Sequence, residues 1–244
     1  MQFISDQRLD DIVREREFTL GGIPGILWTP GSATTPLPLL LLGHPPLGLH
    51  QMYPRLLTRA RHAAAAGFAT ATIELPGSGV RPRFTAVDQA RADMRDAQRA
   101  GAPITDDIID RLILPLVDQS VPEWRTTLDA LLALPELNGA VGYSGGLISI
   151  GTRLAAVEPR IQAAVLYAGS FAPRAIIEEA RQVTIPLHVL LQWDDAGNDR
   201  QMALDLFDAF GSEEKTLHAN MGGHTGVPRY AADEANRFFV RHLT

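Results

Sequence analysis

The chain has 244 residues, of which 45% are hydrophobic and 20% charged, so it can bury a substantial core and is not disordered. Its 22 basic and 28 acidic residues give a net charge of −6, which argues against a nucleic-acid partner. Cysteine is absent, which excludes disulfides, thiolate zinc sites and a cysteine nucleophile.

The N-terminal residues do not read as a signal peptide, because no basic segment followed by an apolar run is present. The longest apolar run, residues 37–42, is far too short to cross a bilayer. We therefore expect a cytoplasmic protein with no membrane partner.

The first half of the chain begins with a predicted hairpin. Residues 15–20 and 23–29 are extended segments on either side of Gly21-Gly22, a turn whose positions tolerate positive φ. The apolar run 39–43 is typical of a strand buried on both faces. A helix over 53–66, ended by Gly67, and a strand over 68–75 follow.

Residues 79–120 are more charged and contain no strand-like run, so two helices are predicted near 86–100 and 105–118. Apolar residues on one face predict a separate amphipathic helix over 121–134. The remaining predicted elements are a strand leading to Ser144, helix 147–157, strand 161–168, helix 174–182, strand 187–192, helix 199–210, strand 215–219 and helix 228–242.

This alternation of strands and helices predicts an α/β fold with a mostly parallel central sheet and helices on both faces. We expect one domain over residues 1–244, with 79–120 as a helical insertion. Ligands of such sheets bind beyond the carboxyl ends of the strands, so the chemistry should follow the strands directly.

One motif follows a strand in this way. Gly142-Tyr143-Ser144-Gly145-Gly146 reads G-x-S-x-G and stands between an apolar segment and a helix. That context is typical of a nucleophile elbow, in which the serine sits on a tight, strained turn and glycines avoid collisions with the neighbouring strand and helix. Ser144 is therefore the predicted nucleophile.

A serine hydroxyl needs a base and the base needs an orienting acid. His224, in the Gly-rich loop 221–226 after the last predicted strand, is the best base. Asp194 and Asp195 both follow a strand; Asp195 is preferred because it lies further beyond the strand end. Alternatively, both aspartates cap the helix that begins near Asp199.

The oxyanion hole needs two backbone N–H donors. One is expected from Gly145, directly after the nucleophile, and the other from the loop 43–48. Pro45 and Pro46 have no N–H to offer, so Leu47 is the predicted second donor.

The other histidines differ in their positions. His50 follows the first central strand and could contact substrate. His62, His188, His218 and His242 lie inside predicted helices or strands, so they are expected to be surface or packing residues.

Together these residues resemble the α/β-hydrolase fold superfamily, and within it the dienelactone-hydrolase-like serine ester hydrolases. The resemblance covers nearly the whole chain. It rests on His44-Pro45-Pro46, where the superfamily has a His-Gly pair, on the turn 74–79, on the elbow, and on Asp195 and His224 in that chain order. The Pro45-Pro46 pair departs from the superfamily pattern, and the loop after Asp195 lacks the Val-Pro often found there.

The resemblance implies hydrolysis of a small-molecule carboxylic ester or thioester through an acyl-enzyme, without a metal or organic cofactor. It also implies that 79–120 is a cap or lid. His44, Tyr143, His50 and Arg81 are the predicted substrate contacts; alternatively, Arg81 belongs to a solvated basic face. The oligomeric state is open, with a homodimer among the expectations.

Two alternatives stay open at this level. The same triad serves lactonases, peptidases and carbon–carbon hydrolases, which differ by their pockets. A catalytically silent α/β-hydrolase-fold binding module is the alternative from another class, and the two prolines of the oxyanion loop favour it.

Overall fold

Ten strands form one mostly parallel sheet with helices on both sides, in a computed structural model that describes residues 1–31 and 36–244. The strands are β1 (Gln2–Phe3), β2 (Gln7–Arg8), β3 (Val13–Leu20), β4 (Ile23–Pro30), β5 (Leu37–Gly43), β6 (Ala69–Ile73), β7 (Leu137–Gly145), β8 (Ile161–Tyr167), β9 (Leu187–Gln192) and β10 (Lys215–Asn220). The helices are α1 (Leu49–Ala65), α2 (Thr85–Arg99), α3 (Asp106–Leu132), α4 (Ile148–Val157), α5 (Arg174–Ala180), α6 (Arg200–Ala209) and α7 (Tyr230–Leu243).

The strand order across the sheet is β1-β3-β4-β6-β5-β7-β8-β9-β10, and β2 pairs with β3 outside this path. The hairpin β3–β4 is antiparallel, and β4 pairs with β6 in antiparallel register. The six neighbouring strands β6, β5, β7, β8, β9 and β10 are all parallel to one another. The hairpin turn is Gly21-Gly22, with φ of 57° and 81°. The predicted α/β class and the mostly parallel sheet are confirmed.

The central strand β5 shows why the sheet needs helices on both faces. Leu39 and Leu41 pack into one core with α3 and α4, while Leu40 and Leu42 pack into the other with α1 and α7. All four leucines are at most 2% exposed. Burial of each such side chain contributes about 1.5–3 kcal/mol, which explains why a continuous apolar run becomes a strand here.

One long helix replaces two of the predicted ones. α3 runs unbroken over the positions where helices 105–118 and 121–134 were expected, and it contains Pro115 and Pro122. Its buried stripe continues through the expected break, with Val117 and Val121 in the core. Continuous burial of this stripe outweighs the backbone hydrogen bonds that the prolines remove.

The start of α1 is fixed from another part of the chain. Gly48 precedes the helix and has no side chain to cap it, so the backbone N–H of Leu49 donates to both carboxylate oxygens of Glu74, each 3.1 Å away. Ser78 Oγ, 2.7 Å from Glu74 Oε1, holds that carboxylate in turn. α1 therefore begins four residues earlier than its sequence pattern predicts.

Within residues 1–31 and 36–244, no helix combines the length and the apolar character that a membrane span requires.

Candidate active site

The turn after β7 differs in one respect from the predicted elbow. β7 continues through Ser144 to Gly145, and positive φ occurs at Gly145 (79°) and Gly146 (73°). Among the described residues no non-glycine residue has a positive φ. The prediction that the serine itself occupies the strained turn is therefore wrong, because the turn lies one residue further on.

Close packing explains why glycines form this turn. A Cβ on Gly146 would lie 2.9 Å from the backbone of Gly43 and from His44 N, and a Cβ on Gly145 would lie 2.8 Å from Arg59 Nη2. At Gly146 the Cβ would meet backbone atoms, which cannot move aside, and at Gly145 it would displace the Arg59 guanidinium. Positive φ adds strain for other residues at both positions. The two glycines thus let the end of β7 lie directly against the loop after β5.

Arg59, on α1, holds this strand end. Its Nη1 donates to the carbonyl of Gly43 at 2.8 Å, and its Nη2 donates to the carbonyl of Ser144 at 2.6 Å. The same Nη2 lies 3.1 Å from Ser144 Oγ. One guanidinium therefore joins the ends of β5 and β7 and lies against the candidate nucleophile.

The charge of Arg59 has no acidic partner among the described residues, because its guanidinium hydrogen-bonds only to Gly43 and Ser144 there. Burial lowers the pKa of Arg59 from its ordinary value, but an arginine side chain keeps its proton in proteins. The site therefore carries a partly buried positive charge next to the Ser144 hydroxyl. Sequence reasoning missed this residue, although it follows Met52 and Leu56 at helical spacing on α1.

Asp195 and His224 meet as a pair. His224 Nδ1 lies 2.7 Å from Asp195 Oδ2, and the carboxylate also accepts from Gly197 N at 3.0 Å and from Asn198 Nδ2. The Asp195 side chain is 5% exposed, whereas the imidazole is 63% exposed. Burial alone would raise the pKa of Asp195, but the bonds from His224, Gly197 and Asn198 outweigh it and lower that pKa.

The neighbouring aspartate is placed differently. Asp194 is exposed, and its backbone N–H donates to Gly222 O at 3.3 Å. The cap of α6 is Asp199, whose carboxylate accepts from Gln201 N and Met202 N. The alternative that Asp194 and Asp195 cap this helix is therefore wrong.

A cavity of about 370 Å³ joins these groups. Arg59, Gly145 and His224 line it, and so does Ser170. Ser144 is 6% exposed and lies next to it, bonded to Arg59 and followed by Gly145. Within the described part of the chain no hydrogen bond joins Ser144 Oγ to His224. No residue of 79–120 lines this cavity, so the assignment of that segment as a lid stays a prediction.

The predicted second oxyanion donor points elsewhere. Leu47 N donates to Pro45 O at 2.7 Å, and the residue is 52% exposed. His44 lines the cavity, but both of its ring nitrogens lie within 3 Å of backbone carbonyls, those of Pro45 and Ile73. Burial lowers the pKa of His44 below its ordinary value, which favours the neutral ring.

The other three predicted substrate contacts lie away from the cavity. Tyr143 is 1% exposed and packs edge-on against Trp124. Successive strand residues point to opposite faces of the sheet. Because Ser144 takes the face toward α1, Tyr143 takes the other face. His50 borders a separate cavity beside β3. Arg81 makes two hydrogen bonds to Glu123, at 2.6 and 2.7 Å, so its guanidinium is already paired. None of these three side chains lines the cavity beside Ser144, and their roles as substrate contacts stay predictions.

Comparisons with known proteins agree with this architecture. No family model matches the chain, and no curated protein matches it. A PEG-bound cold-adapted esterase from an Arctic intertidal metagenomic library superposes with a TM-score of 0.78 at 26% identity, over 100% of both chains. An acetyl xylan esterase from a Paenibacillus species gives 0.65 at 14% identity, over 99% of this chain and 88% of that one.

A dienelactone hydrolase from Anabaena variabilis covers 100% of both chains with a TM-score of 0.60 at 17% identity. These likenesses cover nearly the whole chain. The chain has the α/β-hydrolase fold and is similar in structure to esterases and dienelactone hydrolases that share this fold.

Proposed function

We propose that this chain hydrolyses carboxylic esters or thioesters of small molecules, with Ser144 as the nucleophile and His224 and Asp195 as base and acid. The observation that carries the proposal is the 2.7 Å contact between His224 and Asp195, next to the cavity that Gly145 and Arg59 also line. The esterase with 26% identity over the full length supports the same reaction class.

The reaction would begin with attack of Ser144 Oγ on the ester carbonyl while His224 takes its proton. The carboxylate of Asp195, whose pKa is lowered further by its hydrogen bonds, stabilises the imidazolium that forms. The hydroxyl must turn from Arg59 toward His224 during this step, and such contacts often tighten only when substrate is bound. Collapse of the tetrahedral intermediate expels the alcohol and leaves an acyl-enzyme that water hydrolyses.

Negative charge develops on the carbonyl oxygen in this step, and it needs donors. The N–H of Gly145 is the first. We propose Arg59 as the second in place of Leu47, because its Nη2 is 3.1 Å from the attacking oxygen and its charge has no carboxylate partner among the described residues. A positive group at this distance also lowers the cost of forming the Ser144 alkoxide.

Replacement of Ser144 tests the proposal. Ser144→Ala should lower kcat for a short-chain p-nitrophenyl ester by roughly four to six orders of magnitude, with an unchanged circular dichroism spectrum. The matched controls are Ser170→Ala, which changes a serine that lines the cavity, and Ser149→Ala, which changes a buried serine of α4. Both should stay active. Activity retained by Ser144→Ala and lost by a control would contradict the assignment.

A silent binding module is the second candidate, and one observation favours it: Ser144 Oγ is bonded to Arg59 and not to His224. A fluorophosphonate probe separates the two functions, because it reacts only with an activated serine. Peptide mass mapping that finds the label on Ser144 supports the hydrolase. Folded protein that takes up no label supports the binding module.

A further inference from the structure

Three side chains of the kinds that bind metals meet at the β10 edge of the sheet, apart from the triad. His188 comes from β9, His218 from β10 and Glu234 from α7. One candidate ligand atom from each residue lies within 4.8 Å of the other two. The sequence pattern predicts only packing or surface roles for the two histidines.

The ring of His188 has an unusual hydrogen-bonding state. The residue is 4% exposed, and its Nδ1 lies 3.0 Å from Thr216 Oγ1. Its Nε2 is buried and has no hydrogen-bond partner among the described residues. If Nδ1–H donates to Thr216, the lone pair of Nε2 is free to bind a cation. A buried polar atom without a partner is costly and needs an explanation.

His218, Glu234 and Phe238 all lie beside the imidazole of His188, and the centroid of the His218 ring is 4.4 Å away. Phe238 packs against the ring with a centroid distance of 5.8 Å and forms an apolar wall. Thr216 and these three residues are the groups that face the imidazole from β10 and α7.

The other two ligands already have nearly the right spacing. His218 Nδ1 and Glu234 Oε2 are 3.0 Å apart. Two ligands of a tetrahedral zinc ion, each bound at about 2.1 Å, are about 3.4 Å apart. An ordinary ion pair would explain this contact, but it would leave the free Nε2 of His188 unexplained.

We propose that His188, His218 and Glu234 bind a divalent transition metal of the Zn²⁺ class. Two imidazoles and one carboxylate suit Zn²⁺ better than Mg²⁺ or Ca²⁺, which prefer oxygen ligands. The side chains of His218 and Glu234, 42% and 27% exposed, leave an entry path from solvent and a position for a water ligand. This site is separate from the proposed triad of Ser144, His224 and Asp195.

The position of the site gives the metal a mechanical consequence. β9 leads directly to the loop that carries Asp195, and β10 leads to the loop that carries His224. A metal shared by β9, β10 and α7 would clamp the two strands that present the acid and the base. Binding of Zn²⁺ should therefore raise the unfolding temperature.

The test is calorimetric titration of Zn²⁺ into full-length protein freed of metal by a chelator. We expect saturable binding of one ion per chain. Glu234→Gln, which keeps the side-chain size, and His218→Asn should each weaken binding by about 100-fold or more, because each removes a ligand. Thr216→Val should weaken it by about 10–100-fold, because it frees the orientation of the His188 ring.

Two variants control for binding elsewhere. His62→Asn changes an exposed histidine 3.9 Å from Asp233, also near α7, and His224→Ala changes the triad. Both should keep the affinity of the unaltered chain. Cobalt substituted for zinc should show the visible absorption of a tetrahedral site, and Glu234→Gln should lose it. Absence of saturable binding, binding that survives in Glu234→Gln, or binding that disappears in His224→Ala would each overturn the proposal.

Discussion

The two adjacent aspartates after β9 have different surroundings, so they should respond differently to the same substitution. Asp195→Asn keeps the shape of the side chain but removes the charge that holds His224, and it should lower kcat by about 10⁴. Asp194→Asn should leave kcat nearly unchanged, because that side chain is exposed. Steady-state hydrolysis of a p-nitrophenyl ester measures both. Similar losses in the two variants would contradict the pairing in the structure.

Arg59 should matter for the transition state more than for substrate binding. Arg59→Met removes the donor beside Ser144 Oγ and should lower kcat by about 10²–10³ with a smaller change in KM. Arg59→Lys keeps the charge but cannot make all three hydrogen bonds, so its kcat should lie between those of Arg59→Met and the unaltered chain. Arg55→Met is the matched control, because Arg55 lines the same cavity from α1 and has no contact with Ser144. A change confined to KM would argue against this role.

At the scale of elements, the turn between β7 and α4 depends on one close approach. Gly146→Ala should lower the free energy of unfolding by about 2–4 kcal/mol, because the new Cβ meets the backbone of Gly43 and adds strain at positive φ. Gly67→Ala separates the two causes: Gly67 has φ of 87° but nothing within 4 Å. Urea unfolding should give a cost of only about 1–2 kcal/mol for it. Equal losses of unfolding free energy in Gly146→Ala and Gly67→Ala would mean that backbone strain alone explains why position 146 is a glycine.

Some elements can be predicted from the sequence because their causes are local. The run 39–43 and the Gly21-Gly22 turn lie where the pattern predicts them. The start of α1 could not be predicted, because its cap comes from Glu74, 25 residues away. The continuity of α3 through Pro115 and Pro122 depends on tertiary burial, which overrides the local preference to break.

Some residues of the candidate site can likewise be predicted from the sequence, and others cannot. Ser144, Asp195 and His224 could be proposed because a motif and the chain order identify them, and their roles stay predictions. Tyr143 was assigned to the pocket because sequence distance does not tell which face of a strand a residue takes. Arg59 was missed because two of its three contacts are with backbone carbonyls, those of Gly43 and Ser144, which no residue pattern encodes.

At the scale of the whole molecule, an acidic group should control stability at low pH. Glu158, after α4, accepts two hydrogen bonds from the guanidinium of Arg160, at 2.7 and 2.8 Å, and one from Arg125. The bond from Arg160 is the main cause that lowers the pKa of Glu158 to about 2. Because the folded pKa is below the ordinary value of 4.5, this stability is present above pH 4.5 and is lost as the pH falls toward 2.

We expect this group to contribute about 1–2 kcal/mol after allowance for solvent screening. Urea unfolding at pH 7, 5 and 3 should therefore show a smaller loss of stability on acidification in Glu158→Gln than in the unaltered chain. Glu178→Gln, in an exposed pair with Arg181, is the control and should leave the pH dependence unchanged. If the unfolding free energies of Glu158→Gln and of the unaltered chain fall equally with pH, Glu158 is not the group that stabilises the fold above pH 4.5.

The geometry of α1 has a consequence for evolution and engineering. Met52, Arg55, Leu56 and Arg59 all line the cavity, and their spacing puts them on one face of the helix. Met52 and Leu56 also belong to the core, at 6% and 0% exposure, whereas Arg55 is exposed. Arg55 can therefore vary without disturbing the packing that holds Ser144, Asp195 and His224. A library of substitutions at Arg55, with Arg59 held constant, should diversify acyl-chain preference while most members keep their turnover. Substrate range in this chain can drift through a single exposed position of one helix.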